Sequence, residues 1–209
     1  MIGFLAIAFV SYLIGSIPSG YLAGRLAGVD IRQQGSGNIG ATNVTRALGK
    51  KYGYPVFLAD FSKGLVAVLL GPVVARVFAL SHAPEVFEIV AGIFVVVGNA
   101  FPLWLRFRGG KGVATSSGLL FGLMPAVAMI VIVVWVIAFY TTRYISLASV
   151  IAALALPVTV FVITHLTGVD RPLLLYVSIT LAAIVILRHR SNLSRLVRGT
   201  EQRFQRRED

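Results

Sequence analysis

The chain has 209 residues, 57% hydrophobic and 13% charged, with a formal charge of +11 and no cysteine. A soluble domain carries about 25% charged residues, so a soluble enzyme is excluded, and with it disulfide or thiolate chemistry. The apolar excess lies in long, continuously apolar runs rather than alternating ones, which favours helices crossing a hydrocarbon core about 30 Å thick over a β-barrel.

In chain order, the first run covers about 3–24. No basic stretch precedes its apolar core, so it reads as a retained span rather than a cleaved signal. Its small residues at four-residue spacing, Gly15/Ser19 and Gly20/Gly24, suit close packing on a neighbouring helix. A polar loop, 25–54, follows. The run 55–80 carries Asp60 and Lys63 at i, i+3, which predicts an intrahelical ion pair. Another run spans 86–105. The next apolar run, 113–140, would make a helix about 42 Å long, but it contains Gly122-Leu-Met-Pro125. The last two runs are 146–165 and 172–187, and a basic tail occupies 188–209.

Charge decides how the long run threads. Cytoplasmic loops of membrane proteins collect Lys and Arg. Placing 25–54 in the cytoplasm also places Arg106, Arg108 and Lys111 there. If 113–140 crossed once, Arg143 and the Arg-rich tail would fall outside. A turn near Pro125 returns both to the cytoplasm. The expected fold is therefore an all-α integral membrane protein, a single domain of seven transmembrane helices over 3–24, 55–80, 86–105, 113–124, 126–140, 146–165 and 172–187. The fourth and fifth helices are expected to be short, the N-terminus outside and the C-terminus cytoplasmic.

That threading puts four polar clusters on one face: GSGNIGATNVTR (35–46), FRGGKGVATSSG (107–118), RYISLAS (143–149) and RHRSN (188–192). In the first, Gly35 and Gly37 allow backbone N–H groups to converge on an anion. Ser36, Asn38, Thr42 and Asn43 add side-chain donors. A helix starting near Gly40 would favour an anion at its N-terminus, and Arg46 offers a fork for phosphate. The second cluster repeats the idea with Gly109, Gly110, Lys111 and Gly112. It is not a Walker A loop, because Gly112 rather than Ser or Thr follows the lysine. Ser146 and Ser149 share a helix face, although serines also bond back to the i−4 carbonyl. Arg188, His189 and Asn192 close the set; the histidine could orient a phosphate or take a proton.

Only eight carboxylates exist, and no spacing suits a metal, so no metal and no cofactor is expected. The positive charge is accounted for by topology and lipid headgroups rather than nucleic acid. His165 and Asp170 match an acyltransferase His-x4-Asp pattern but fall in the outer loop, away from the clusters. The residues alone also allow a small transporter for an organic phosphate, or a non-catalytic anchor for lipid enzymes.

GSGNIGATN (35–43), DFSKG (60–64), GGKGVAT (109–115), YISLAS (144–149) and RHRSNLSRLVRGTE (188–201) occur in this order. The chain thereby resembles the bacterial acyl-phosphate:glycerol-3-phosphate acyltransferases, the PlsY family, along nearly its whole length. The resemblance implies a seven-span enzyme of the bacterial inner membrane that joins a fatty acyl phosphate to the 1-hydroxyl of sn-glycerol 3-phosphate. Lysophosphatidic acid and inorganic phosphate are released, the first acylation of phospholipid synthesis. Ser36 and Lys111 would hold phosphate and Arg46 the glycerol phosphate. Ser146 or Ser149 would line the site, and His189 and Asn192 would position substrate or polarise the carbonyl. Asn99 stands where the family often has His, and Ser191 where an acid is common. Membrane lipids would surround the protein; its oligomeric state stays open, a monomer included.

Overall fold

The structure, a computed structural model, describes residues 1–78, 84–168 and 171–204. Among these the regular secondary structure is entirely helical. The chain forms two compact units, one ending at Met124 and the next starting at Pro125.

The first unit holds α1 (Ile2–Ser16), α2 (Ser19–Leu26), α3 (Ala41–Leu48), α4 (Lys50–Val77), α5 (Pro84–Ala100) and α6 (Val113–Leu123). The second holds α7 (Pro125–Thr142), α8 (Ile145–Thr167), α9 (Pro172–Arg188) and α10 (Arg190–Val197). Five segments are long and apolar enough to cross a membrane: Ile2–Leu26, Lys50–Val77, Pro84–Leu105, Pro125–Thr142 and Ile145–Thr167. The pair α9 and α10, bent by 56°, makes a sixth if it is counted as one span. The protein is thus a multi-pass membrane protein with five or six spans by length.

Several expectations are refined. The break near Pro125 exists, because proline lacks the N–H that would continue α6 and disfavours helical geometry at Met124. Its two sides are unequal. At 11 residues α6 is about 16 Å long, whereas α7, at 18 residues, spans about 27 Å and is not short. The first run is divided by Pro18 into α1 and α2, with Ile17 extended between them. The loop 25–54 contains α3 and the first turn of α4, and the tail opens with α10.

Between helices in lipid, close contact replaces the hydrophobic drive available in water. In the first unit Phe4 of α1 stacks on Phe87 of α5 at 4.3 Å. α4 and α6 touch backbone to backbone: a Cβ on Gly64 would collide with the Thr115 carbonyl, and one on Gly118 with that of Phe61. In the second unit Leu156 and Val160 of α8 and Leu181 and Val185 of α9 are buried. Phe9, Phe57, Leu58, Val133 and Phe161 remain exposed on outer faces, as lipid-facing side chains would. Lys63 reaches Asp60 at 2.6 Å, so the expected ion pair is present.

Candidate functional site

In the first unit, the chain leaves α2 and makes a 3₁₀ turn over Ile31–Gln33. Asp30 caps that turn by accepting from the Arg32 backbone N–H at 3.0 Å, and the Arg32 guanidinium closes on the same carboxylate at 2.6 Å. The Arg32 side chain, and then its backbone N–H, hold the Asp30 carboxyl down to about 2. Arg32 also lies over the Tyr21 ring, which ties the turn to α2.

The glycine-rich segment then wraps around one side chain. Asn43, only 3% exposed, accepts the Ser36 N–H on its Oδ1 at 2.9 Å. Its amide nitrogen donates to the carbonyls of Asn38 at 2.8 Å and Gln34 at 3.0 Å, with Ile31 at 3.4 Å. The asparagine expected to donate to substrate has its polar atoms engaged by the loop's own backbone, so it is a positioning residue here. Gly37 needs its φ of 69° to make the turn. Asn38 Oδ1 accepts the Gly40 N–H at 2.8 Å, which sets Gly40 as the N-cap of α3, where a helix start was expected. Ser36 and Gly35 are left exposed above this scaffold, Thr42 is half-buried in the first turn of α3, and Arg46 is half-buried in its last turn.

The second cluster follows α5. A 3₁₀ turn, Leu103–Leu105, leads to Arg106 and Phe107, both left-handed with φ of 51° and 61°. The chain then folds back on the end of α5. Gly109 N–H donates to the Ala100 carbonyl at 3.2 Å and Gly110 N–H to that of Asn99 at 3.0 Å. A Cβ on Gly109 would collide with the Asn99 carbonyl. These two glycines therefore permit close packing, and their N–H groups face inward rather than towards an anion. Gly112, with φ of 77°, is the N-cap of α6 and follows Lys111, and the first N–H groups of a helix lack partners within it. Asn99 is the surface on which this loop is built.

In the second unit the organising group is one the sequence reading missed. Glu201, 9% exposed, accepts the Ser146 hydroxyl and the Asn192 amide on Oε1, both at 2.6 Å, and Arg195 Nε on Oε2 at 2.8 Å. Burial pushes the Glu201 carboxyl up, but the hydrogen bonds from Ser146, Asn192 and Arg195 outweigh it and hold the group below its ordinary value. A carboxylate only accepts, so the Asn192 amide nitrogen must face it. The signal available was the closing Gly-Thr-Glu of the last motif; its partner 55 residues away is invisible to local pattern.

His189, 2% exposed, joins α9 to α10, and its Nδ1 lies 2.8 Å from the Val185 carbonyl. A carbonyl cannot donate, so Nδ1 carries the hydrogen, and in the neutral ring the lone pair is on Nε2. Arg188 is half-buried at the end of α9. Ser149 is not part of this group. Its hydroxyl bonds back to the Ile145 carbonyl at 2.8 Å and accepts Trp135 Nε1 at 3.1 Å. Ser146 and Ser149, though one turn apart, thus separate into different roles. His165 is exposed near the end of α8, stacked on Phe161, and Asp170 lies outside the described residues.

Residues 5–199 match the family described as Glycerol-3-phosphate acyltransferase. A protein of that name from Aquifex aeolicus is 42% identical over 200 residues, covering 96% of this chain and 98% of the relative. Another from Geobacter sulfurreducens is 43% identical over 204 residues, covering 98% and 99%. Two crystal structures of PlsY, an integral membrane glycerol 3-phosphate acyltransferase, also align. The glycerol 3-phosphate form is 40% identical with a TM-score of 0.83, covering 97% of this chain and 96% of that one. The lysophosphatidic acid form is 39% identical with a TM-score of 0.82, covering 97% and 95%.

Proposed function

Since the chain belongs to the glycerol-3-phosphate acyltransferase family and is a membrane acyltransferase, we propose that it takes its acyl group from a fatty acyl phosphate. The family and both structural neighbours support glycerol 3-phosphate as acceptor and lysophosphatidic acid as product. They also set aside transport and a merely anchoring role.

The observation that carries the donor assignment is the presence, within the first unit, of two helix starts suited to phosphate rather than one. One is the loop that presents Ser36 before α3, with Arg46 on the same helix. The other is Gly112 at the start of α6, beside Lys111. Both substrates would carry a phosphate, whereas an acyl thioester has none at its reacting carbon. Fixed N–H groups and cations offset the repulsion between two anionic reactants. The Ser36 side chain, on the turn that Gly35 and Gly37 shape, and Lys111 hold phosphate, and Arg46 engages the glycerol phosphate through its fork. Asn38, Thr42, Gly109, Gly110 and Gly112 shape these cradles. Ser146 and Arg188 are further candidates to contact substrate, with His189 and Asn192 positioning substrate or polarising the carbonyl.

The 1-hydroxyl oxygen of glycerol phosphate attacks the acyl carbonyl carbon. The bond from that carbon to the phosphate oxygen breaks, and the hydroxyl proton leaves with the phosphate. Acyl phosphate is already activated, so holding the two reactants in register supplies most of the rate. The proton goes to the departing phosphate in preference to His189. The remaining features of the proposal are seven membrane-embedded segments, counting α6, in the bacterial inner membrane. The N-terminus is outside, and the polar clusters and C-terminus are cytoplasmic.

The test is direct. Detergent-purified protein given palmitoyl phosphate and glycerol 3-phosphate is expected to release lysophosphatidic acid and inorganic phosphate in equal amounts. Palmitoyl-CoA in place of the acyl phosphate is expected to give neither, and lysophosphatidic acid from the thioester alone would overturn the donor assignment.

A further inference from the structure

Lys63 lies in the middle of α4 and is 7% exposed, as is Asp60 one turn earlier. An ion pair inside a helix needs no second purpose, yet the ammonium group has one. Its Nζ also donates to the Ile17 carbonyl at 2.5 Å, 46 residues away. Ile17 is the extended residue between α1 and α2, placed there by Pro18. A backbone break inside an apolar unit exposes carbonyls that helix would otherwise satisfy, and a buried ammonium is a strong donor for one.

The break leads straight to the glycine-rich loop. Gly20, three residues after Ile17, lies in the first turn of α2, and the Ile39 carbonyl sits directly against it, where any Cβ would collide. Val44 of α3 touches the same glycine. Ile39 immediately precedes Gly40, the N-cap of α3, and α3 carries Arg46. Asp60, Lys63, Ile17, Gly20, Ile39 and α3 therefore form one continuous chain of contacts inside the first unit.

We propose that the Asp60–Lys63 pair is a positioning device for the reaction. By fixing the bend between α1 and α2, it sets the height of the Ile39–Gly40 junction and so of Arg46 towards glycerol phosphate. This rests on the reading that Arg46 engages glycerol phosphate. The pair touches no substrate in this scheme and acts only through α2.

The experiment uses the full-length protein in detergent. Removing Lys63 alone would strand a buried carboxylate and lower folding yield, so the principal variant is the double Lys63→Met/Asp60→Leu, which replaces the pair by apolar groups of similar volume. The expected result is a KM for glycerol 3-phosphate raised about tenfold, since small misplacements of a binding group are costly. KM for acyl phosphate should be unchanged. Lys63→Arg, which keeps the cation and a long reach, is expected to restore most of the affinity. In an Arg46→Lys background the double change is expected to add less than about twofold, because both act on one contact. Unchanged KM for glycerol 3-phosphate, or a full tenfold effect in the Arg46→Lys background, would overturn the proposal. If the double variant does not fold, Asp60→Asn against wild type decides: a rise confined to the KM for glycerol 3-phosphate would support it, and no rise, or an equal rise in both KM values, would overturn it. Arg46→Lys by itself tests the underlying reading; if that change leaves KM for glycerol 3-phosphate unaltered, it is the assignment of Arg46 that fails.

Discussion

Asn43 and Ser149 were both plausible donors to a phosphate by type. Hydrogen-bond capacity decides otherwise, since Asn43 holds four backbone groups of its own loop and Ser149 is shared between Ile145 and Trp135. Conversely, Glu201, one of three acids in the basic tail 188–209, has no local signal of its role, yet it gathers Ser146, Asn192 and Arg195. Glu201→Gln removes the charge from three donors, each hydrogen bond to a charged group being worth about 1.5–3 kcal/mol. The change should lower the thermal midpoint by several degrees and cut acyl transfer together with it. The sign of the pH effect follows from the lowered carboxyl. Its stabilisation is complete above the ordinary value near 4.5 and is lost as pH falls below that, towards the lowered folded value. Wild type should therefore lose thermal stability in that acid range while Glu201→Gln changes less; parallel curves would count against the assignment.

Helix length and helix contact were unequally legible. Apolar runs gave the positions of α8 and α9 to within about two residues, because a long apolar helix needs only its own composition to be recognised. The division at Pro125 could also be read, since proline acts locally. The extent of α4 could not. It starts at Lys50, five residues before the apolar run, because a helix can extend its polar first turns beyond the hydrocarbon. The role of Gly118 was equally hidden. A Cβ there meets the Phe61 carbonyl of α4, so Gly118→Leu should separate α4 from α6, at a cost of about 1–3 kcal/mol or more from overpacking. A lower melting midpoint in detergent with retained helical circular dichroism is the expected signature. An unchanged midpoint would show that the two helices do not pack as described.

At the scale of the molecule, threading is the property that most needs measurement. The chain has no cysteine, so single introduced cysteines report cleanly. Gln33→Cys, Arg108→Cys and Arg198→Cys are expected to react with an impermeant maleimide only in inverted vesicles, and His165→Cys only in right-side-out ones. Gln33 and Arg108 reacting from opposite sides would remove the common face on which the proposed chemistry depends.

The sequence by itself determined that this is a helical membrane protein, where most spans run, and which four polar stretches are the candidates for its chemistry. Those properties are written in composition, apolar run length and short motifs, and each is local. Only the tertiary structure decided which polar residues are ligand candidates and which are framework. A hydrogen bond such as Ser146 to Glu201, or Lys63 to Ile17, joins residues 55 and 46 positions apart. Pairings of that kind depend on which helices come to lie together, and no local pattern in the chain encodes them.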